Sequence, residues 1–488
     1  MAYSQLNDNM RKLLHDGIVI IYISQSGDQL DTMIFHSNRL KTLFTRVYKF
    51  FVTSAAVKFL FLLIVIVISF SATKGRENDF VKVNGTRFEV NEKPYYFVGT
   101  NLWYGLNLGA KKAGGDRARL LRELDKLKSM GITNLRIMGA SEGPDTEPWR
   151  MVPALQQAPG MYNEDVLDGL DFLLYQMRKR GMYAVVCLNN FWPWSGGMAQ
   201  YIKWHSQESI PYPPPHPGGS WDTYQKFTAK FYSDKAATEH FNKFLNFIIN
   251  RQNKYRNIVY KNDSTIMAWE LANEPRGVDN IEAFNQWIDE TATYIKSLDK
   301  NHLITTGSEG ETPFKTSGTD FIKNHDGKYI DYATVHIWIQ NWNWYDPAKP
   351  EQTYDSAQKK MSEYFDAHVN KAKQLNKPFV LEEFGIARDS GSFDPSTSTK
   401  NRDVYYQAVF EKVYQSIINK APVAGVNFWA WGGEGKPKQP YGSIWHAGDS
   451  FIGDPPHEQQ GWYSVYDKDA STVDVVTNYA KKLDALNK

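Results

Sequence analysis

The 488-residue sequence is poor in cysteine and in the motifs of several common enzyme chemistries. Its one cysteine, Cys187, cannot form a disulfide bond within the chain. Cys187 lies in an apolar run at residues 183–188, which predicts a small buried side chain rather than a nucleophile. The sequence has no His-x-His or His-Glu-x-x-His pattern and no Gly-x-Gly-x-x-Gly loop, so we expect neither a peptidase-type zinc site nor a dinucleotide fold.

A large excess of charge of either sign is also missing. The formal net charge is +2, and residues 1–72 hold seven basic and four acidic residues, so the rest of the chain carries 49 basic and 50 acidic residues. Binding to nucleic acid depends on many basic side chains that neutralise phosphates, so we expect no nucleic-acid partner. A nearly neutral surface instead suits a neutral substrate.

Aromatic residues, by contrast, are abundant. Many of them fill the core of any large protein, but several tryptophans stand among Gly, Pro and Asn, where loops are expected. The tryptophans in such segments are Trp103, Trp192, Trp194, Trp204, Trp221, Trp342, Trp344 and Trp462. Flat rings on loops can stack on the apolar faces of sugar rings, and the neutral charge favours this over stacking on nucleobases.

The N-terminal 72 residues differ from the rest of the chain. Residues 59–70 read FLFLLIVIVISF, an apolar run that follows Lys58. A membrane-spanning helix needs about 20 such residues, so this shorter run is typical of a signal peptide, with cleavage near residues 71–73 and secretion. The alternative is an uncleaved signal anchor in the membrane. We therefore expect a leader over residues 1–72 and a single large domain over residues 73–488, in a secreted monomer.

From residue 80 onward the sequence alternates strand-like apolar runs with helical patterns. Eight runs are predicted as strands: residues 95–101, 134–138, 183–188, 266–273, 303–307, 332–336, 379–383 and 425–429. Six stretches with a helical period are predicted as helices: residues 116–130, 164–180, 236–251, 281–298, 354–375 and 402–419. Strands that alternate with helices are parallel, and eight such units predict a closed (β/α)₈ TIM barrel of the α/β class. A doubly wound open sheet is the alternative, but no phosphate loop follows any strand.

Long loops follow the third, sixth and eighth predicted strands, at residues 191–234, 337–352 and 431–463. In a barrel the C-terminal ends of all strands share one face, where active sites lie. Glu274 follows the fourth strand and Glu383 ends the seventh, so their side chains can face each other across this opening. Glycosidic cleavage needs two such carboxyl groups, one to protonate the leaving oxygen and one to attack the anomeric carbon or activate water. The domain over residues 73–488 is therefore expected to be catalytic.

Two further polar residues end predicted strands. Arg136 would keep a neighbouring carboxylate ionised by its opposite charge, and His336 either hydrogen-bonds within the site or packs as an ordinary buried histidine. Repulsion between the two carboxylates would raise the pKa of the acid. Glu274, Glu383 and His336 are also possible ligands of a divalent ion, but because the sequence has no clustered His/Asp pattern, we expect no metal and no cofactor.

Two of the strand ends carry motifs of a known family. Residues 269–275 read WELANEP and resemble the strand-four signature of glycoside hydrolase family 5. Residues 377–385 read KPFVLEEFG and resemble its strand-seven signature. The resemblance runs from residue 80 to the C-terminus. It implies a retaining (β/α)₈-barrel hydrolase in which Glu274 is the acid/base and Glu383, the glutamate directly before Phe-Gly, is the nucleophile.

Within this family the sequence is most similar to endo-β-1,4-mannanases. The similar segments are residues 99–104 (GTNLWY), 269–276 (WELANEPR), 336–345 (HIWIQNWNWY) and 427–433 (NFWAWGG). The resemblance implies that the substrate is a β-mannan polysaccharide. It further implies that the β-1,4 linkages of mannan, glucomannan or galactomannan are cut by double displacement, which is the activity of a mannan endo-1,4-β-mannosidase.

The resemblance also implies a set of residues that bind the substrate. This set is Trp103, Arg136, Asn273, His336, Trp338 and Trp429. Asn273 would bind the 2-hydroxyl of the sugar at the cleavage site, and Trp429 would form the floor under that sugar. Arg136 would support the nucleophile and His336 would order the acid/base region. The family usually has tyrosine at the position of Trp338, with its hydroxyl near the nucleophile, whereas an indole N–H donates a hydrogen bond but cannot accept a proton.

Two other functions stay open at this point. An endo-β-1,4-glucanase would keep the fold and the chemistry, because mannose and glucose differ only in the orientation of the 2-hydroxyl. A carbohydrate-binding protein without catalysis is a more distant alternative, because it predicts the loss of a carboxylate and both are present.

Overall fold

The computed structural model describes residues 19–23, 30–35, 79–112, 114–206 and 208–488. The chain divides into two compact units, residues 1–77 and residues 78–488. In the first unit the strands Val19–Ile23 and Leu30–Phe35 pair in antiparallel register. The predicted signal segment at residues 59–70 lies outside the described residues. None of the helices in the described parts of the chain is both long and apolar enough to span a bilayer.

The second unit is built around an eight-stranded parallel sheet. Its strands are β1 Phe97–Asn101, β2 Asn134–Met138, β3 Tyr183–Cys187, β4 Ile266–Glu270, β5 Leu303–Thr305, β6 Ala333–Ile337, β7 Phe379–Phe384 and β8 Val423–Phe428. Their order in the sheet is β5-β4-β3-β2-β1-β8-β7-β6. Backbone hydrogen bonds from Asp331 to Ile304 and from His336 to Glu309 join the two outer strands, β5 and β6. The predicted (β/α)₈ barrel is therefore confirmed.

A helix follows each strand of the barrel. These helices are α1 Arg117–Ser129, α2 Glu164–Lys179, α3 Lys235–Ile249, α4 Ile281–Leu298, α5 Phe321–His325, α6 Pro350–Leu375, α7 Lys400–Ile418 and α8 Ala470–Asp484. All six predicted helices are present, with ends shifted by a few residues. The prediction missed α5, which is too short to show a helical period, and α8, whose buried residues Val473, Val476 and Leu483 do follow one.

The three long segments leave the C-terminal ends of β3, β6 and β8, as predicted. The segment after β3 was predicted as a loop, but it contains the helices Gly197–His205 and Trp221–Ala229. Tyr201 and Tyr224 on these helices are fully buried, so tertiary packing orders a segment that also contains a run rich in Pro and Gly. After β8, the short strands Trp431–Gly433 and Val465–Tyr466 pair and hold the two ends of the last long segment together.

The opposite end of the barrel is filled by apolar side chains beneath a small antiparallel sheet. This sheet consists of Lys82–Asn84, Arg87–Val90 and Lys93–Pro94. Phe88 from the sheet packs its ring against Tyr332 at the start of β6, with ring centroids 5.2 Å apart. The small sheet thus covers this end, and the three long segments all lie at the other end, where the strands of the barrel terminate.

A buried histidine lies at the junction of β5 and β6. His325, the last residue of α5, donates from Nδ1 to the carbonyl oxygen of Phe321. Its Nε2 accepts hydrogen bonds from the Thr306 hydroxyl and from the backbone N–H of Thr334. A proton on Nε2 would point at the Thr334 N–H, so this geometry requires the neutral ring. Burial lowers the pKa of His325 to about 3.

This histidine is expected to destabilise the protein in acid. In the unfolded chain His325 gains a proton near pH 6.5, whereas the folded chain resists protonation until about pH 3, so stability is lost as the pH falls through this window. Each pH unit costs about 1.4 kcal/mol per excess proton. The difference in unfolding free energy between the wild type and His325→Gln, from denaturant titrations at pH 7 and pH 4.5, should shrink toward low pH. His446→Gln, at a side chain that is 73% exposed, is the control. Parallel stability curves for wild type and His325→Gln would contradict the interpretation.

Candidate active site

The two glutamates predicted as catalytic converge at the mouth of the barrel. One oxygen of Glu274, one oxygen of Glu383 and one ring nitrogen of His336 all lie within 4.8 Å of one another. All three residues are buried. Separations of about 5–5.5 Å between the carboxyl groups are typical of retaining glycosidases, whereas inverting enzymes leave about 6.5–9.5 Å for a water molecule. The geometry of this pair therefore matches cleavage with retention.

The backbone turns sharply at Glu274 to aim its side chain into the barrel. The predicted strand 266–273 stops early, at Glu270, and Glu274 adopts a left-handed conformation with φ +49°. Its N–H donates to the carbonyl oxygen of Gly307 at 3.0 Å. Gly307 itself has φ +73°, and a Cβ there would lie 2.0 Å from the carbonyl oxygen of Ala272. Strained backbone of this kind in a non-glycine residue is characteristic of functional sites.

Arg136 connects the nucleophile candidate to the interior of the barrel. Its guanidinium donates to Glu383 and to the side-chain oxygens of Asn101 and Asn273, at 3.0 and 2.8 Å. It also forms a two-point ion pair with Glu270, at 2.8 and 2.6 Å. Such a charged pair fixes the orientation of the guanidinium. The structure thus brings Arg136 to Glu383 as expected, and it adds Asn101 and Glu270, which the sequence reasoning did not single out.

His336 lies between the two glutamates and contacts both. Its Nδ1 is 2.6 Å from Oε1 of Glu274 and 3.2 Å from Oε2 of Glu383. Burial alone would lower the pKa of His336, but the charge of Glu383 and the hydrogen bonds to both carboxylates outweigh it and raise the pKa to about 10. The ring therefore carries a proton that the two carboxylates share.

The same three residues have the spacing of metal ligands. However, Glu383 accepts a hydrogen bond from the cationic Arg136, and Nδ1 of His336 already bonds Glu274. A cation at this point would lie beside a buried guanidinium, which costs electrostatic energy. We therefore interpret the cluster as an acid–base group.

Comparison with known proteins identifies the family. A family model described as GH family 5 β-mannosidase-like matches residues 78–488. The chain belongs to glycoside hydrolase family 5. This membership confirms the resemblance of the strand-four and strand-seven motifs, and it accounts for two glutamates at the ends of β4 and β7.

Solved and curated relatives support the same placement. The crystal structure of a glycoside hydrolase family 5 mannosidase from Rhizomucor miehei is 40% identical, with a TM-score of 0.76 over 85% of this chain and 99% of its own. A putative mannan endo-1,4-β-mannosidase 9 of Oryza sativa subsp. japonica is 31% identical over 363 residues, which is 72% of this chain and 81% of the relative. Mannan endo-1,4-β-mannosidase 7 of Arabidopsis thaliana is 29% identical over 84% of this chain and 86% of its own length.

The pKa pattern of this family 5 site differs from the expected one. Repulsion between the carboxylates was expected to raise the pKa of Glu274. Burial does act to raise it, but the hydrogen bond and charge of His336, the charge of Arg276 and the Trp192 hydrogen bond together lower it to about 2. Burial raises the pKa of Glu383. The expectation was wrong because it did not include His336, which holds the proton next to Glu274.

Trp338 stands where the family usually has tyrosine, and it faces Glu274 rather than the nucleophile candidate. Its indole N–H donates to Oε1 of Glu274 at 3.2 Å. Because that oxygen also accepts from His336, Glu274 has two donors on one side. In this member of family 5, Trp338 therefore donates a hydrogen bond to the acid/base candidate and not to the nucleophile candidate.

Sequence reasoning missed the residues that hold the other oxygen of Glu274. Trp192 donates from its indole N–H to Oε2 of Glu274 at 2.5 Å. The guanidinium of Arg276 lies 4.9 Å from the centre of the Trp192 ring and forms a two-point ion pair with Glu309. Arg276 closes the WELANEPR motif and Trp192 follows β3, so both positions were visible in the sequence, although their contact was not.

Hydrogen bonds and ring contacts position the other predicted substrate-binding residues. Asn273 is fixed by Arg136 on its oxygen and by its own hydrogen bond to Asn190 at 3.1 Å. Trp429 lies beside Trp338 in an edge contact, with centroids 6.0 Å apart. Trp103, however, is 2% exposed, and its N–H bonds the carbonyl oxygen of Gly453.

The ring of Trp103 is linked to that of Trp429 by a third tryptophan. Its ring packs against Trp194, which in turn packs against Trp429. The contact of Trp103 with substrate stays a prediction.

Proposed function

We propose that the protein is a retaining endo-β-1,4-mannanase, with Glu383 as nucleophile and Glu274 as acid/base. The observation that carries this proposal is the convergence of these two carboxyl groups around His336, within 4.8 Å. The short separation between the two carboxyl groups leaves no room for a water molecule between the sugar and the carboxylate. Direct attack by the carboxylate, with retention, is therefore favoured over attack by water, with inversion.

In the first step a carboxylate oxygen of Glu383 attacks the anomeric carbon. The bond from that carbon to the glycosidic oxygen breaks, and the oxygen takes a proton from Glu274, which receives that proton from Nδ1 of His336 along their 2.6 Å hydrogen bond. Glu274 thus ends the step as a carboxylate and His336 as a neutral ring. The product is a glycosyl ester on Glu383 and a free chain with a new hydroxyl group. Arg136 holds the attacking oxygen in place and stabilises its negative charge before attack.

In the second step water enters where the leaving chain was bound. Glu274, now a carboxylate, takes a proton from this water, and the hydroxide attacks the same carbon and displaces Glu383. Two inversions give net retention. Trp192 and Trp338 donate to both oxygens of Glu274 and keep them oriented through this exchange of roles.

The names of the relatives support the substrate. Curated proteins of Arabidopsis thaliana, Oryza sativa subsp. japonica and Solanum lycopersicum that match most of this chain are named as mannan endo-1,4-β-mannosidases. A variant of the Rhizomucor miehei mannosidase has been solved in complex with mannosyl-fructose. Mannan, glucomannan and galactomannan are therefore the proposed substrates, and the glucanase alternative is not favoured.

A substrate panel with product sizing tests this function. We expect ivory-nut mannan and locust-bean gum to be cut at least about tenfold faster than carboxymethyl-cellulose, because the site must distinguish one hydroxyl orientation. Early products should be oligosaccharides of several lengths, with the β-anomer appearing first by NMR. Faster turnover of carboxymethyl-cellulose would favour a glucanase. Release of mannose alone would refute the endo mode, and binding without turnover would refute catalysis.

We also propose that the protein is secreted, because residues 59–70 have the length and composition of a signal-peptide core. A secreted enzyme would meet mannan outside the cell. N-terminal sequencing of protein recovered from the medium of a eukaryotic host should find a start near residues 71–73, whereas retention in the membrane fraction would support the signal anchor.

A further inference from the structure

The long segment after β8, residues 434–464, reaches two other segments at the mouth of the barrel. At one point the hydroxyl of Tyr463 donates to the side-chain oxygen of Asn341, which follows β6. At another, the ring of His457 contacts the ring of Trp221, which follows β3, with centroids 5.8 Å apart. We call residues 434–464 the β8 segment. Through these contacts it extends along the opening that leads to Glu274.

Two polar side chains of the β8 segment have unmet hydrogen-bonding groups. Oε2 of Glu458 is buried and has no hydrogen-bond partner among the described residues, and the same holds for Nδ1 of His457. The side chain of His457 is 9% exposed and that of Glu458 is 21% exposed. Buried polar groups are almost always hydrogen-bonded, so unmet groups in a partly open position indicate a missing partner.

The hydrogen bonds that hold the β8 segment together do not involve the carboxyl group of Glu458. Another carboxylate, that of Asp454, stabilises the segment. It accepts hydrogen bonds from the backbone N–H groups of Gly461 and Tyr463 and from the Ser464 hydroxyl. All of these bonds lie within the segment. Among the described residues the carboxyl group of Glu458 accepts no comparable bond, and one of its oxygens lies 3.9 Å from Nε2 of His457.

Glu458 lies near the catalytic pair. The charges that act on its carboxyl group come from Asp454, Glu383 and Glu274, and burial together with these charges raises the pKa of Glu458 well above its usual range. A series of contacts also connects His457 to the catalytic pair. The ring of His457 contacts Trp221, and the ring of Trp221 contacts Trp192 with centroids 5.5 Å apart. Trp192 in turn donates a hydrogen bond to Glu274. The protonated, neutral carboxyl that this setting favours can both donate and accept hydrogen bonds.

We propose that Glu458 and His457 bind hydroxyl groups of a mannose unit at or next to the cleaved linkage, and that Glu458 is a specificity-determining residue of the enzyme. Sugar hydroxyls donate and accept at once, which matches a carboxyl group beside a free imidazole nitrogen. Trp221, whose side chain is 38% exposed, adds a ring face at the same place. This inference rests on the proposed mannanase function.

The test compares Glu458→Ala, Glu458→Gln and the control Glu290→Gln, which is exposed on α4. Steady-state kinetics on mannotriose and mannohexaose give kcat and KM, and thermal unfolding checks the fold. For Glu458→Ala we expect KM to rise about tenfold, with a smaller change in kcat, because a binding contact is lost. Glu458→Gln keeps a neutral group of the same shape, so its kcat/KM should stay within about threefold of the wild type. The control should match the wild type.

Each other outcome has a distinct meaning. A wild type that does not cleave mannan refutes the proposed function itself. An active wild type with an unchanged Glu458→Ala variant refutes the role of Glu458 alone. Equal losses in the alanine and glutamine variants, with a lowered unfolding temperature, would show that Glu458 supports the fold, and this also overturns the proposal.

Discussion

Replacing Glu383 with alanine is expected to reduce kcat on mannan by at least about 10⁴-fold, because removal of the nucleophile removes the covalent step on which double displacement depends. KM should change much less, since the tryptophans and Asn273 that are proposed to bind the sugar are untouched. Reducing-sugar release from locust-bean gum measures the loss. Circular dichroism and thermal unfolding should show a folded protein, because Glu383 lies near the C-terminal end of β7, at the mouth of the barrel rather than in the apolar core.

The neighbouring residue provides a matched control. Glu382 is also buried, and burial together with the charge of Glu270 raises its pKa to about 8, so at neutral pH it is mostly a neutral carboxyl group. Glu382→Gln copies that neutral form and should retain most of the wild-type activity. If Glu382→Gln abolished activity while Glu383→Ala remained active, the nucleophile would be Glu382, and the assignment from the Phe-Gly motif would be wrong.

Replacing Glu274 with alanine is expected to reduce kcat on mannan by about 10²–10⁴-fold, the usual contribution of general acid catalysis. The loss should depend on the leaving group. In 2,4-dinitrophenyl β-mannobioside the leaving group is a stable dinitrophenolate that needs no protonation. The first step should therefore stay fast, and the glycosyl ester on Glu383 should accumulate. A burst of dinitrophenol followed by slow turnover is the expected time course.

Azide separates the two roles of Glu274. It attacks the ester without a general base, so it should restore turnover of the dinitrophenyl substrate by Glu274→Ala and give a β-mannobiosyl azide. Glu383→Ala forms no ester, so any azide product of that variant would be the α-anomer that a single inversion gives. Equal losses on mannan and on the dinitrophenyl substrate, with no effect of azide, would exclude Glu274 as the acid/base.

Much of the fold was predictable because its signals are local. The alternation of eight apolar runs with amphipathic stretches was enough to predict the barrel, and the strand bounds agree with the structure to within a few residues. Where the prediction missed, long-range contacts were decisive. The helix Trp221–Ala229 forms in a stretch rich in Pro and Gly because Tyr224 and Phe227 are buried.

The candidate site was predictable only in part. The motifs name Glu274 and Glu383, a predicted strand contains Arg136, and strand order places all three at one opening. No motif indicates that His336 bridges both carboxylates, and without that bridge the expected pKa of Glu274 had the wrong direction. The ring contact between Trp103 and Trp194 was also not visible in the sequence.

The amino-acid sequence by itself determined the barrel, the family and which carboxylates end strands four and seven, because periodicity and strand-end motifs are properties of short stretches of chain. Only the tertiary structure decided where the shared proton lies and which side chains surround it. Residues 192, 274, 338 and 458 are far apart along the chain, and their charges and hydrogen bonds act on one another only after the segments that follow β3, β6 and β8 have packed over the same opening.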